Sequence, residues 1–422
     1  MDIDTQKPMR PFWTLWSGQA ISLFGSQLVQ FALIWWLTEE TGSATVLAVA
    51  SLMGLLPQVV LGPFIGVFVD RWSRRWVMLM ADTAVAAVSI LLAGLFYFGF
   101  VETWHILAIL FIRSVGSSFH TSAMMATTTL MVPAKHLTQI QGVNQMLMGG
   151  MNIIAAPIGA LLLAVLSIEG VLWLDALTAV CAIVPLFIIT VPEPEKRGED
   201  DADQSVWQDM KDGFLYVNDR RGILYLILMA TTVNFLFAPA VAMLPLLVTD
   251  YFGGGALQFA STQSALGLGI VIGGVLLGVW GGFKSRIYTV LSSFAGLGVT
   301  FIVIGLVPPT GFLIALGAFF VSGMMSSMIN GPIQAIMQVV IAPEFQGRVF
   351  SLLGSLALAV TPIGLILAGP IADLLGIRVW YVVAGAICFV VGLAGFGVSA
   401  IVHVEEGGDV PAETTKVVAS GS

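Results

Sequence analysis

Two stretches decide the fold: Gln141-Gly-Val-Asn-Gln-Met-Leu-Met-Gly-Gly-Met-Asn-Ile-Ile-Ala-Ala-Pro-Ile-Gly159 and Gln346-Gly-Arg-Val-Phe-Ser-Leu-Leu-Gly-Ser-Leu-Ala-Leu-Ala-Val-Thr-Pro-Ile-Gly364. The second repeats the first 205 positions later, without a gap. Gln141, Gly142, Leu147, Gly149, Pro157, Ile158 and Gly159 return as Gln346, Gly347, Leu352, Gly354, Pro362, Ile363 and Gly364. Chance matches of glycine are common in apolar sequence, but a shared frame ending in Pro-Ile-Gly is harder to obtain by chance. Each stretch lies within an apolar run long enough for a helix to cross the hydrocarbon, which takes about 20 residues.

The repeat extends outward from these two runs. Gly62, Gly66, Val67, Ser73 and Arg74 recur as Gly274, Gly278, Val279, Ser285 and Arg286, and Trp173 and Cys181 as Trp380 and Cys388. Apolar runs lie near 12–38, 44–69, 76–99, 104–131, 138–167 and 170–191, and again near 222–249, 257–283, 287–307, 311–341, 347–372 and 377–402. The expected fold is therefore an all-α membrane protein with twelve transmembrane helices in two six-helix repeats. Its composition agrees. Charged residues make up 10% of the chain, where a soluble domain carries about 25%, so most of the surface does not face water. The first apolar run is too long for a signal-peptide core and is expected to stay as the first span. The two cysteines, Cys181 and Cys388, sit in apolar runs and do not form a disulfide framework.

Basic residues set the orientation. Lys7 and Arg10 precede the first span, and Arg71, Arg74 and Arg75 follow the second. Lys135, Lys196, Arg197, Lys211, Arg220, Arg221, Lys284, Arg286, Arg348 and Lys416 fall on the same side when the spans are counted in turn. The opposite loops carry Glu39, Glu40, Glu102, Glu169, Asp250 and Asp373, with Arg378 as their one cation. By the positive-inside rule, both termini are expected in the cytoplasm. The domain reading follows: residues 1–192 form an N-terminal six-helix half, 193–221 a cytoplasmic linker, 222–404 a C-terminal six-helix half and 405–422 a disordered tail. Within the linker, Ser205 and Gln208 form a capping box, and Trp207, Met210, Phe214 and Val217 share one face of an amphipathic helix. Parallel repeats of this kind place a substrate at their interface, near the bilayer midplane.

The loop after the second span reads Gly66-Val-Phe-Val-Asp70-Arg71-Trp-Ser-Arg74-Arg75. It resembles the G-x-x-x-D-R-x-x-R-R signature of the major facilitator superfamily. Its glycine suits close helix approach, and its cations hold the loop in the cytosol. The repeat copy, Gly278 to Arg286, has Gly282 where the aspartate would stand. That copy is a near miss to a phosphate-binding loop. Phe283 replaces a required glycine and no nucleotide domain follows, so ATP hydrolysis is excluded. Closer still, Trp16-Ser-Gly-Gln19-Ala-Ile-Ser-Leu, Leu37-Thr-Glu-Glu-Thr-Gly-Ser, Phe111-Ile-Arg113-Ser-Val-Gly-Ser-Ser-Phe119-His-Thr and Gly347-Arg348-Val-Phe-Ser-Leu-Leu-Gly look like the macrolide-efflux proteins. The likeness implies a proton-driven drug exporter of the bacterial cytoplasmic membrane. It implies a conformational gate of Gly66, Asp70, Arg71, Arg74, Arg75 and Arg348, with Asp70 near the start of span eleven when the cytoplasmic side is closed. It also gives Arg113 a part in proton coupling. The chain departs from the pattern at Ser122, where proline is usual, and at Ala156, where glycine often precedes Pro157 of the antiporter motif.

Polar residues inside the spans are the remaining candidates. Arg113 lies nine residues into span four, ~14 Å deep at 1.5 Å per residue, where an arginine needs a partner or water. Asp82 and Asp175 are the acids that could carry the proton. Asp82, near the cytoplasmic end of span three, is also a natural partner for the Arg71–Arg75 loop. The substrate cavity is expected to draw on Gln19, Ser26 and Gln30 of span one, Ser117 and Thr121 of span four, Asn234 and Phe237 of span seven, and Asn330 and Gln334 of span ten. The same stripes would serve equally as interhelical hydrogen-bond glue. The expected partners are a bulky amphipathic small molecule, protons and the lipid bilayer, with no cofactor, metal or nucleic acid. A facilitator-fold transporter of an endogenous metabolite or siderophore is the alternative. A membrane-embedded enzyme is a rival of another class, but His105, His120, His136 and His403 are scattered without metal-ligand spacing.

Overall fold

The computed structural model describes residues 9–133, 136–191, 215–218, 220–341 and 343–406. Among them are twelve helices long and apolar enough to cross a membrane, and no strand. In chain order they are α1 Met9–Thr41, α2 Ala44–Arg71, α3 Arg74–Tyr97, α4 Thr103–Met131, α5 Leu137–Val165 and α6 Ile168–Ile188. Then follow α7 Arg221–Ala242, α8 Ala256–Trp280, α9 Arg286–Leu306, α10 Phe312–Val340, α11 Pro343–Leu375 and α12 Ile377–Gly397. The protein is a multi-pass membrane protein. Of the expected linker helix, only Leu215–Asn218 falls among the described residues and is helical. The capping-box positions and the tail beyond Glu406 lie outside them.

Local chemistry sets the breaks. Gly42 ends α1 at φ +55°, a left-handed conformation that glycine adopts without a Cβ clash. One residue on, the Ser43 hydroxyl accepts the Val46 N–H and caps α2. Two runs are shorter than the apolar pattern implies. The seventh stops at Ala242 and continues as a short turn, Leu244–Leu246, and a π-turn, Leu247–Tyr251. Pro245 has no N–H for the carbonyl one turn back, which removes a rung of the ladder at the place where α7 gives way. The eighth stops at Trp280 because Gly281 and Gly282 both take positive φ, +77° and +81°.

The chain divides into two compact units that do not follow the sequence halves. The first takes the described residues of Met1–Gly198 together with Ala242–Ser264 and Leu365–Leu374. The second takes those of Glu199–Val241, Ala265–Gly364 and Leu375–Ser422. In the first unit, α1 packs on α5 and α6, α3 on α4 and α6, and α2 on α4. Apolar side chains including Phe12, Leu15, Ile65, Met78, Ala123 and Leu186 fill the end nearest the basic loop. At the other end the segments from the second half are held closely. Phe259 stacks on Phe31 at 5.1 Å and Trp35 at 5.9 Å, and Ser264 donates to the Ile153 carbonyl at 2.8 Å. Asp373 accepts from the Ser43 hydroxyl at 3.0 Å, the Ala44 N–H at 2.7 Å and the Thr45 N–H at 3.0 Å. A carboxylate at a helix N-terminus satisfies otherwise orphaned N–H groups and suits the helix dipole.

In the second unit, α9 packs on α10 and α12. A Cβ on Gly298 would stand 2.4 Å from the Phe389 nitrogen, so the α9 and α12 backbones meet through a residue that must be glycine. Glu405 accepts from the Ile287 N–H and the Ser285 hydroxyl at the start of α9.

Candidate functional site

In α1, α3 and α4, polar residues recur seven positions apart: Gln19 and Ser26, Asp82 and Ser89, Arg113 and His120. Seven residues are close to two helical turns, so each pair lies on one face of its helix, about 10 Å apart along the axis. The first unit brings these faces together in two layers.

One layer is built around Asp175 of α6. The Arg113 guanidinium donates through Nη1 to Asp175 Oδ2 at 2.6 Å and also to the Ser89 hydroxyl. Ser89 Oγ lies 2.8 Å from Asp175 Oδ2 and 2.9 Å from the Val85 carbonyl, so its proton serves one of the two at a time. Ser26 donates to the other carboxylate oxygen at 3.1 Å. Asp175 is 2% exposed, Arg113 7% and Ser89 not at all. In such surroundings an isolated charge would be several kcal/mol unfavourable, so the opposite charges and hydroxyls make each other's burial possible. The close approach of α1 to α6 that permits this falls at Gly25, where a Cβ would stand 2.1 Å from the Thr178 hydroxyl oxygen.

The other layer is nearer the basic loop. Gln19 donates through Nε2 to Asp82 Oδ2 at 3.0 Å. His120 Nε2 stands 3.7 Å from Asp82 Oδ1 and is buried without a hydrogen bond. The expected pairing of Asp82 with the loop cations is not what the described side chains show. Arg74 donates to the Ala126 carbonyl at 2.8 Å and Arg75 to the Phe187 carbonyl at 3.1 Å, near the ends of α4 and α6. Cations there meet carbonyls that lack helical partners. The side chains of the other gate residues, Gly66, Asp70, Arg71 and Arg348, lie outside the described part of the structure.

The expected cavity residues separate into three groups. Gln19 and Ser26 belong to the two layers just described. Asn234 and Asn330 donate to carbonyls of their own helices, Ala230 and Ser326, both at 2.9 Å, and Phe237 stacks on Phe301 at 5.8 Å. Ser117, Thr121 and Gln334 are exposed, and Gln30 is half-buried. Sequence reasoning missed Ser89 and His120. The seven-residue stagger on three neighbouring helices was the signal available for both.

The family model of the Major Facilitator Superfamily matches residues 15–360. A macrolide efflux protein A of Streptococcus pyogenes is 37% identical over 376 residues, covering 89% of this chain and 93% of the relative. A macrolide efflux protein A of Enterococcus faecalis is 35% identical over 324 residues, covering 77% of this chain and 100% of the relative. Among solved structures, a POT family transporter in complex with 5-aminolevulinic acid superposes with a TM-score of 0.70 at 12% identity, covering 96% of this chain and 99% of that one. That last likeness is one of fold.

Proposed function

We propose that this chain, which belongs to the Major Facilitator Superfamily, exports bulky amphipathic drugs of the macrolide type in exchange for protons, by alternating access. The observation that carries the reading is the buried Arg113–Asp175 pair, set within a chain that resembles macrolide efflux proteins over nine-tenths of its length. The proton-free carboxylate holds Arg113, Ser89 and Ser26 together. Adding a proton removes one charge of the pair and leaves the guanidinium short of a partner in a low-dielectric setting. Proton-bound and proton-free states therefore favour different packings of α1, α3, α4 and α6, and a proton gradient can bias the choice between them.

Substrate contact is assigned to the exposed polar positions Ser117, Thr121, Asn330 and Gln334, with Gln30. Few acids lie within the spans, so a large apolar drug would be held more by aromatic and amide contacts than by fixed charge. The gate is assigned to Gly66, Asp70, Arg71, Arg74, Arg75 and Arg348. Both termini are placed in the cytoplasm of a bacterial cell, with the Arg74 loop on the same side. An engineered cysteine at Thr41 should then react with a membrane-impermeant reagent added outside, and one at Ser73 should not.

The test is efflux of a fluorescent drug from energised vesicles, with and without a protonophore. Gradient-dependent efflux that Asp175→Asn abolishes is the expected result. Efflux that persists after the gradient collapses removes the mechanism.

A further inference from the structure

Three of the four histidines serve helix ends. His105 Nδ1 accepts the Glu102 N–H and completes the cap of α4. His136 meets Gln139 in the first turn of α5, and His403 meets the Ser399 carbonyl beyond α12. His120 is the exception. It lies inside α4, with Nε2 buried, without a hydrogen bond and facing a carboxylate 3.7 Å away. A ring nitrogen so placed meets the carboxylate as a donor whenever it carries a proton, and as a second acceptor when it does not.

We infer that His120 and Asp82, held by Gln19, form a second proton-carrying station, two helical turns from the Arg113–Asp175 pair and nearer the basic loop. The inference rests on the proton-antiport reading and extends it from one carboxylate to a two-layer path.

The charge balance supports it. The Arg113–Asp175 layer is neutral when both groups are ionised, whereas the Asp82 layer is neutral only with a proton on the pair. Imidazole is the side chain most often used as a proton shuttle, which suits this position between a carboxylate and the basic loop. No other charged group competes at contact distance among the described side chains. On α4, Arg113 is two turns away and committed to Asp175. On α3, Arg74 is about 12 Å along the axis from Asp82 and committed to the Ala126 carbonyl. The α1 sequence offers no titratable group between Arg10 and Glu39, α2 none from Ala44 to Val69, and α5 none. On α6, the titratable groups are Glu169, Asp175 and the Cys181 thiol. Each of the two groups therefore has the other as its ionisable neighbour. The exchange balances without any other reactant: one proton is gained by the imidazole nitrogen from the side of higher proton concentration and released on the other.

With only four histidines, the station can be observed directly. In histidine-labelled protein, the ring-nitrogen resonance lost in His120→Gln identifies His120. It should show a protonation step, and Asp82→Asn should displace that step. A His120 resonance that shows no step, or one indifferent to Asp82→Asn, overturns the inference. In vesicles, His120→Gln should still bind and leak a fluorescent macrolide down its gradient, while its accumulation against a gradient falls and loses its pH dependence. A gradient-driven wild type with an unchanged His120→Gln profile sinks the second station alone. A wild type indifferent to the gradient sinks the antiport reading and the coupling role of both layers.

Discussion

The triangle of α3, α4 and α6 in the first unit and that of α9, α10 and α12 in the second are built from the two halves of one sequence repeat, yet their interiors differ. In the first, Arg113, Asp175 and Ser89 form a buried charged cluster. In the second, the Ser322 hydroxyl bonds to Thr300 Oγ1 at 2.7 Å, and Tyr381 packs against Phe301 and Phe319 with its hydroxyl on the Ala240 carbonyl at 2.6 Å. By the repeat frame that pairs Trp173 with Trp380 and Cys181 with Cys388, Val382 stands where Asp175 would. On the antiport proposal, two halves with one topology divide two tasks. A neutral, aromatic interior is a stable scaffold, because every polar group has a partner in every protonation state near neutrality. Under the proposed antiport the charged interior is the responsive one, because protonation of Asp175 would leave Arg113 short of a partner.

The severest way to break this contrast is to remove one charge. Arg113→Ala or Asp175→Asn should abolish gradient-driven efflux. Arg113→Ala, which leaves a buried carboxylate alone, should lower stability by about 3–5 kcal/mol, seen as a fall in the thermal midpoint in detergent. Removing both charges together is the sharper test. Arg113→Met with Asp175→Val gives the first interior the character of the second. It should recover most of that stability, since well-packed apolar replacements of buried ion pairs are often neutral or stabilising. It should remain uncoupled, with efflux indifferent to a protonophore. A double variant that still concentrates drug would remove the coupling role of the pair.

Changes in the second interior should be milder. Tyr381→Phe deletes one hydrogen bond within the membrane and Thr300→Val two, at about 0.6–1.7 kcal/mol each, and both leave efflux sensitive to the gradient. Loss of coupling in either would end the claim that the second triangle is scaffold. Asn330→Ala and Gln334→Ala, exposed on α10, should have the smallest effect. They should shift the ranking of drugs in a susceptibility panel a few-fold, with coupling retained.

The same contrast explains what could be read early. The twelve spans were legible because each must present about 20 apolar residues to lipid, a requirement that does not depend on the neighbouring helices. The two-half repeat was legible in the ungapped match of residues 141–159 with 346–364. Arg113 and Asp175 also stood out, as charges have few tolerable places in hydrocarbon. Their pairing did not, since 62 residues separate them in the chain. Ser89 and His120 were harder still. Serine is ordinary helix glue, and a lone histidine points to no partner until its neighbours are placed.

The sequence by itself therefore determined the helices, their number, the repeat and the presence of charges that must be accommodated. Tertiary structure alone decided which acid faces Arg113, that Asp82 meets Gln19 and His120 instead of the described loop cations, and that Asp373 caps α2 from 330 residues away. The physical reason is range. Insertion in lipid is governed residue by residue along one helix, whereas a buried charge is satisfied by whichever face of another helix the packing turns toward it.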